Sequence, residues 1–450
     1  MNESKICIHP WSHVNINPNG DVWPCCHQRS KDLYVLGNFK TQSVDEIFNA
    51  EPMRYLRREM MAGRLPPEVC MKCIEYEKLD ILSPRQTAEL QPYAKKVHEL
   101  IEKTNADGSI DDYKIKYWDL RWSNKCNMNC VMCDPDWSSL WTSDLKKILS
   151  KYSDKTIKQD GMLNRYNNQI QHIEKVQKVP NLGWIDKHIN DVEYIYFAGG
   201  EPLIMDEHWY ILDKLHNLGR HNVKLKYNTN MSKLQHLGKN AVDYWKHWDR
   251  PYISVEGSID ETGKRAEWIR SGTVWKNVQS NIQTLVSENI KCQPNVSIGC
   301  YNVIRLPQLI EELWELYYNP KNKALKVNLN AVLNDWCKIS VLPDDWKKEI
   351  INDLQKFESK TKIPITQLNK IYVELSKPQD VQDTYQFFRR ASFLDLNKRS
   401  TLLESIPQLS RLNDSYGNLY EKLRDEWIEK SIDKGTSSVN TNVRRSVCYG

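Results

Sequence analysis

Three cysteines stand close together in Cys126-Asn-Met-Asn-Cys130-Val-Met-Cys133, directly after the strand-like run Ile115 to Trp122. Thiols at C-x3-C-x2-C spacing can close on one small metal centre, and cysteine thiolates are the usual ligands of iron–sulfur clusters. Three ligands on a four-iron cube leave one iron without a protein ligand, open to a substrate or cofactor. Zinc fits the trio less well, because a structural zinc normally takes four protein ligands in a closed tetrahedron. Three unrelated core cysteines are the remaining alternative, which this crowding disfavours.

A second thiol group lies near the amino terminus: Cys7, Cys25, Cys26 and the pair Cys70-Met-Lys-Cys73. Val14/Ile16 and Val22/Trp23 alternate about Asn19-Gly20, a β-hairpin signal, since Asn-Gly supplies the positive φ of a tight turn. The hairpin brings Cys7 and Cys25 together at its open end. Cys70 and Cys73 follow a predicted helix, Val44 to Ala62, on a knuckle built around Pro66-Pro67. Four thiolates then make a closed site for a cluster or for zinc, since C-x2-C pairs serve both. Adjacent strand residues face opposite sides, so Cys26 is expected outside that site as a spare thiol, either an alternative ligand to Cys25 or a buried small hydrophobe.

The cysteine trio, together with Gly199-Gly200-Glu201-Pro202 after a later strand, resembles the signature of the radical S-adenosylmethionine (SAM) family. The resemblance implies a [4Fe–4S] cluster on Cys126, Cys130 and Cys133. Its open iron chelates SAM, and reductive cleavage yields a 5′-deoxyadenosyl radical that abstracts a hydrogen atom from substrate. Gly199, Gly200, Glu201 and Pro202 would meet the SAM amino group. Met132 stands where the family usually has an aromatic residue, and methionine still packs against an adenine face. Thr229-Asn230 ends a strand as a second ligand-facing turn or as a helix cap. Ser258 and Asp260, two apart, share one face of an extended segment, and the resemblance places the SAM ribose there. Arg270 is either a bidentate clamp for the SAM carboxylate or a surface arginine. Residues 5 to 75 resemble the twitch/SPASM auxiliary-cluster domains, in their single-cluster twitch form, implying a second [4Fe–4S] cluster on Cys7, Cys25, Cys70 and Cys73. The related sulfatase-maturating enzymes place a proton-accepting acid after the corresponding cysteine, which makes Cys26 a candidate proton or hydrogen-atom donor. The family's usual order, core first and auxiliary domain second, is reversed here.

Positioning these groups requires a scaffold. Six strand-then-helix units are legible: strands Ile115–Trp122, Val192–Ala198, Val223–Asn228, Tyr252–Val255, Asn295–Cys300 and Leu325–Ala331, with helices Trp209–Leu218, Leu234–Trp248, Val274–Glu288 and Leu306–Tyr318 after inner ones. This alternation predicts an α/β fold with a parallel sheet, a partial (β/α)6 barrel with its active residues at the carboxyl ends of the strands. The expected organisation is a twitch-like domain over 1–90, a helical connector over 91–112, the core over 113–340, and a helical extension over 341–450 in which no ligand constellation is visible. Residues 143–190 read as a charged, solvated insertion with little apolar periodicity, either a lid or a substrate-selecting excursion. Cys292, Cys300 and Cys337 have no ligand spacing and read as core. The last residues, from Lys434, are rich in Ser, Thr and Asn and carry Cys448.

The 450 residues suffice for two or three domains. The 63 basic and 58 acidic side chains nearly balance at a net charge of +5, which indicates no polyanionic partner such as nucleic acid. A mean hydropathy of −0.66, without a run of roughly 18 apolar residues, leaves no candidate membrane helix. The first residues lack an apolar export signal. Clustered cysteines then point to metal ligation in a reducing compartment, and the expected location is the cytoplasm. The expected function is an oxidoreductase-type radical SAM enzyme served by an external electron donor such as flavodoxin or ferredoxin. Its expected substrate is first a peptide or protein, second a sugar or nucleotide-like small molecule. A non-catalytic zinc module for a nucleic-acid or protein partner is the rival reading.

Overall fold

A computed structural model of the chain describes residues 6–28, 34–78, 80, 82–176, 182–322 and 325–432; Cys448 and the tail lie outside them. Fourteen strands occur among the described residues. Three come from the amino-terminal segment: β1 (His13–Ile16), β2 (Asp21–Trp23) and β3 (Gly37–Asn38). Then follow β4 (Tyr117–Leu120), β5 (Asn129–Cys130), β6 (Tyr194–Phe197) and β7 (Lys224–Thr229). A short pair, β8 (Gln235–His236) and β9 (Lys239–Asn240), precedes β10 (Ile253–Ser258) and β11 (Arg270–Ser271). The last are β12 (Cys292–Ile298), β13 (Val327–Ala331) and β14 (Ile365–Thr366).

Ten of these form one sheet in the order β14-β13-β12-β10-β7-β6-β4-β1-β2-β3. The six predicted strands are its parallel centre, β4, β6, β7, β10, β12 and β13. The amino-terminal hairpin is not a detached module: β1 runs parallel to β4, with His13 opposite Tyr117 and Asn15 opposite Asp119. β14, from the carboxyl-terminal segment, extends the other edge alongside β13.

The two faces of this sheet differ in chemistry, as the period-2 alternation of strands requires. Trp118, Leu120, Ile195, Phe197, Leu225, Tyr227 and Val255 are buried on one face. The other carries a continuous polar row in register: Asn15, Asp119, Tyr196, Lys226 and Ser254 on successive strands. A second row runs Ser258, Asn295, Asn328 and Thr366.

Several local expectations are corrected. The helix expected over Val44 to Ala62 is two, Val44–Phe48 and Glu51–Met61, because Pro52 lacks an amide donor and belongs in a first turn. Pro67 opens a helix, Pro67–Lys78, rather than a knuckle, so Cys70 and Cys73 sit one turn apart on it. Of the expected Asn19-Gly20 turn, Gly20 alone takes a positive φ, +88, the left-handed position glycine fills readily, and Asn17 N donates to Asp21 O across the loop. Only Ala241–Trp245 of the expected helix Leu234–Trp248 forms. Leu237 and Gly238, both at positive φ, turn β8 into β9 ahead of it.

The described residues of the insertion are largely helical and partly buried rather than a solvated excursion; 177–181 lie outside them. Ser139–Leu149 and Gly161–Val176 bury Leu145, Ile148, Leu163, Tyr166 and Ile170, a helical spacing masked in the sequence by intervening lysines. Its cover is the carboxyl-terminal extension: Tyr152 donates to the Trp427 carbonyl at 3.0 Å, and Arg389 pairs with Asp160 at 2.8 Å. That extension comprises the helices Asp344–Glu358, Leu368–Ser376, Val381–Leu394 and Leu419–Ile432, with the shorter Leu402–Ser405 and Ser410–Ser415 before the last. No helix among the described residues is long and apolar enough to cross a membrane.

Candidate active site and auxiliary thiol site

The cysteine loop leaves the carboxyl end of β4. It re-enters regular structure as β5, which pairs antiparallel with β11 so that Cys130 faces Arg270. Four consecutive carbonyls of this loop are each held by a side chain from elsewhere. Trp141 Nε1 donates to Cys130 O at 2.9 Å and Trp336 Nε1 to Val131 O at 3.1 Å. Asn334 Nδ2 donates to Met132 O at 3.0 Å and Arg390 Nη2 to Cys133 O at 2.6 Å. A loop whose buried carbonyls are all satisfied keeps its side chains in fixed directions.

Cys126, Cys130 and Cys133 line one cavity of about 520 Å³ together with Met132, Gly199, Gly200, Asn230, Ser258 and Arg270. Sequence reasoning missed the rest of its wall, including Arg121, Asp134, Trp137, Tyr196, Asn228 and Asn334. Arg121, Tyr196 and Asn228 lie on the polar sheet face, and only the register of the strands would have revealed them. Burial pushes the Cys126 thiol up to about 12 and raises Cys133 well above its ordinary value. Cys130 is raised by burial too, with the Arg270 charge opposing. Ligation must therefore displace a proton from each thiol.

Three predicted residues stand behind the wall. Glu201 is buried, and its carboxylate accepts from Thr229 Oγ1 and Asn230 N at 2.7 Å and from Leu203 N at 3.1 Å. Burial pushes that carboxyl up to about 7. Pro202 opens a short 3-10 turn beside it. Asp260 is also buried; one carboxylate oxygen accepts from Ser297 N and the other from Arg270 Nε, both at 2.7 Å. Arg270 is thus no surface arginine: its Nη1 reaches the Cys130 sulfur at 3.6 Å. At Gly200 the backbone comes so close to the cysteine loop that a Cβ would stand 2.3 Å from Lys125 O.

Cys7, Cys25, Cys70 and Cys73 line a second cavity, with His9 and His27. Burial raises all four thiols, Cys25 to about 11 and Cys70 to about 12. Cys26 lines neither cavity; burial and the nearby charge of Asp119 raise its thiol, and Asp119 ion-pairs with Arg121 at 3.0 Å. Among the described residues, no three His, Cys, Asp or Glu side chains close on a point that one metal ion could occupy. The thiols instead form the walls of cavities. All the described cysteines are free, and Cys292, Cys300 and Cys337 are buried core.

Residues 120–317 match the radical SAM superfamily, and residues 7–74 match SPASM, an iron-sulfur cluster-binding domain. The radical SAM match thus follows the SPASM match along the chain. The cofactors that follow are SAM, a [4Fe–4S] cluster and auxiliary iron–sulfur ligation, and the thiols that line the two cavities are the donors such clusters take. No curated protein matches the chain. Solved structures similar to it include native anSMEcpe with bound AdoMet, 14% identical with a TM-score of 0.34, covering 57% of this chain and 66% of that one. SuiB of Streptococcus suis is 15% identical with a TM-score of 0.36, covering 80% and 79%. The same protein bound to the precursor peptide SuiA is 14% identical with a TM-score of 0.35, covering 83% and 80%. The chain thus spans just under two thirds of anSMEcpe.

Proposed function

We propose that this protein is a radical SAM enzyme that oxidises or otherwise modifies a peptide or protein by hydrogen-atom abstraction. When bound, the SAM cluster and SAM together supply a 5′-deoxyadenosyl radical; the rest is the protein's work of binding, orientation and water exclusion. The observation that carries the proposal is one cavity at the carboxyl ends of adjacent strands, where three thiols, the Gly199-Gly200 turn, Asn230, Ser258 and Arg270 meet. In this reading Cys126, Cys130 and Cys133 hold the cluster. The Gly199-Gly200 backbone takes the SAM amino group and Arg270, oriented by Asp260, its carboxylate. Ser258 and Asn230 face the ribose, and Met132 packs on the adenine.

Cys7, Cys25, Cys70 and Cys73 then hold a single auxiliary cluster of the twitch type, which takes the electron left on substrate. An external donor such as flavodoxin or ferredoxin reduces the first cluster. The polar face below the cavity, with Tyr196, Asn228 and the Lys226–Glu256 pair at 3.1 Å, suits a hydrogen-bonding peptide segment better than an apolar ligand. The test is anaerobic reconstitution followed by iron, sulfide and zinc counts and 5′-deoxyadenosine release under dithionite. About eight iron atoms per chain and reduction-dependent 5′-deoxyadenosine support the proposal. A colourless zinc protein that leaves SAM intact overturns it.

A further inference from the structure

Arg390, from the helix Val381–Leu394 of the carboxyl-terminal extension, is 5% exposed. Its guanidinium lies over the ring of Trp336 at 4.2 Å and that of Trp141 at 4.7 Å. It donates to the Cys133 carbonyl and to the Tyr166 hydroxyl, and its buried Nε has no partner. Among the described residues no carboxylate pairs with it; Asp134 lies within its electrostatic reach without forming an ion pair. A buried cation without a counter-ion is costly, and two indole faces offset that cost only in part. The missing negative charge has an evident source. Arg390 is anchored to the last of the three cysteines, and a cluster held there by thiolates is an anion.

We propose that Arg390 is a positioning residue of the SAM cluster. It fixes the Cys133 end of the loop and holds a positive charge behind the cluster that favours its reduced state. The inference rests on the cluster assignment to Cys126, Cys130 and Cys133. It gives the carboxyl-terminal extension a role: docking that helix brings the charge in. Net charge and hydrogen bonding around a cluster set its potential. A fixed cation therefore eases the one-electron transfer from a low-potential donor, in which the donor is oxidised and the cluster reduced.

The test is an EPR-monitored redox titration of the reconstituted full chain, following the signal that changes when SAM is added. In Arg390→Met, which removes both charge and donor, the reduction equilibrium falls about tenfold, about 59 mV for a one-electron couple. Arg390→Gln, which keeps a donor for the Cys133 carbonyl, falls equally. Arg390→Lys, which keeps the charge, falls less than threefold. Should Arg390→Met not fold, Arg390→Gln decides. An unshifted midpoint in Arg390→Gln with wild-type iron content overturns the inference, and so does an equal shift in all three variants, the mark of a merely structural role. A wild-type protein with no SAM-responsive cluster overturns instead the functional reading beneath it.

Discussion

Burial and the neighbouring charge of Asp119 on the first core strand raise the thiol of Cys26, while the adjacent Cys25 lines the four-thiol cavity. The two adjacent cysteines therefore belong to different sites. Cys26→Ala is expected to keep the auxiliary cluster, whereas Cys25→Ala loses about four iron atoms per chain. Iron counts and the electronic absorption of the two reconstituted variants check this. Iron loss in Cys26→Ala with full retention in Cys25→Ala exchanges the roles of the two thiols.

Replacing Cys126, Cys130 and Cys133 together by alanine is expected to abolish 5′-deoxyadenosine formation and leave the auxiliary iron in place. The two thiol groups line separate cavities, so loss of one cluster need not empty the other. Chromatographic assay for 5′-deoxyadenosine, with iron counts on the same sample, checks both halves. SAM cleavage persisting in the triple variant removes the catalytic role assigned to the trio.

The sequence made the centre of the sheet legible because each of its six strands is a short apolar-and-β-branched run bounded by turn residues. The cysteines were legible from their spacing, and the Gly199-Gly200 turn through the resemblance it completes beside them. Two kinds of information were not. Arg121, Tyr196 and Asn228 reach the cavity through strand register, which couples residues far apart in the chain. Asn334 and Trp336 from the end of the core, and Arg390 from the carboxyl-terminal extension, hold the cysteine loop through tertiary packing that local patterning does not reveal. Direct SAM contact for Glu201 and Asp260 is what the resemblance implies. Their buried carboxylates turn instead to Arg270 and to the Thr229-Asn230 turn.

Gly200→Ala is expected to weaken SAM binding severely and to destabilise the fold by about 1–3 kcal/mol, the usual cost of forcing an atom into packed space. The added methyl would meet Lys125 O at 2.3 Å and Lys125 C at 2.8 Å. Both are backbone atoms next to Cys126, so relief must move the cysteine loop. Calorimetric SAM titration of the reconstituted variant and its thermal midpoint are the measurements. Wild-type affinity would mean that the loop yields freely and that Gly200 is not required for the approach.

Glu201→Gln tests the support beneath the Gly199-Gly200 turn. The carboxylate accepts three hydrogen bonds, and an amide presents an N–H to Asn230 N where an acceptor is needed. A buried donor left without an acceptor costs about 1–3 kcal/mol. The pH dependence gives a separate sign. Burial raises the Glu201 carboxyl from its ordinary 4.5 to about 7, so the native state holds a proton that the unfolded chain has released. Its contribution to stability is fully present below about pH 4.5 and is lost as pH rises through about 7, by the linkage between proton binding and folding. The stability of wild type relative to Glu201→Gln is therefore expected to fall between pH 5 and pH 8, on the order of 1–3 kcal/mol. Anaerobic thermal or denaturant unfolding of both proteins across that range measures the difference. A difference that stays flat from pH 5 to pH 8 would show that Glu201 is ionised in the folded protein throughout, with its three donors outweighing burial.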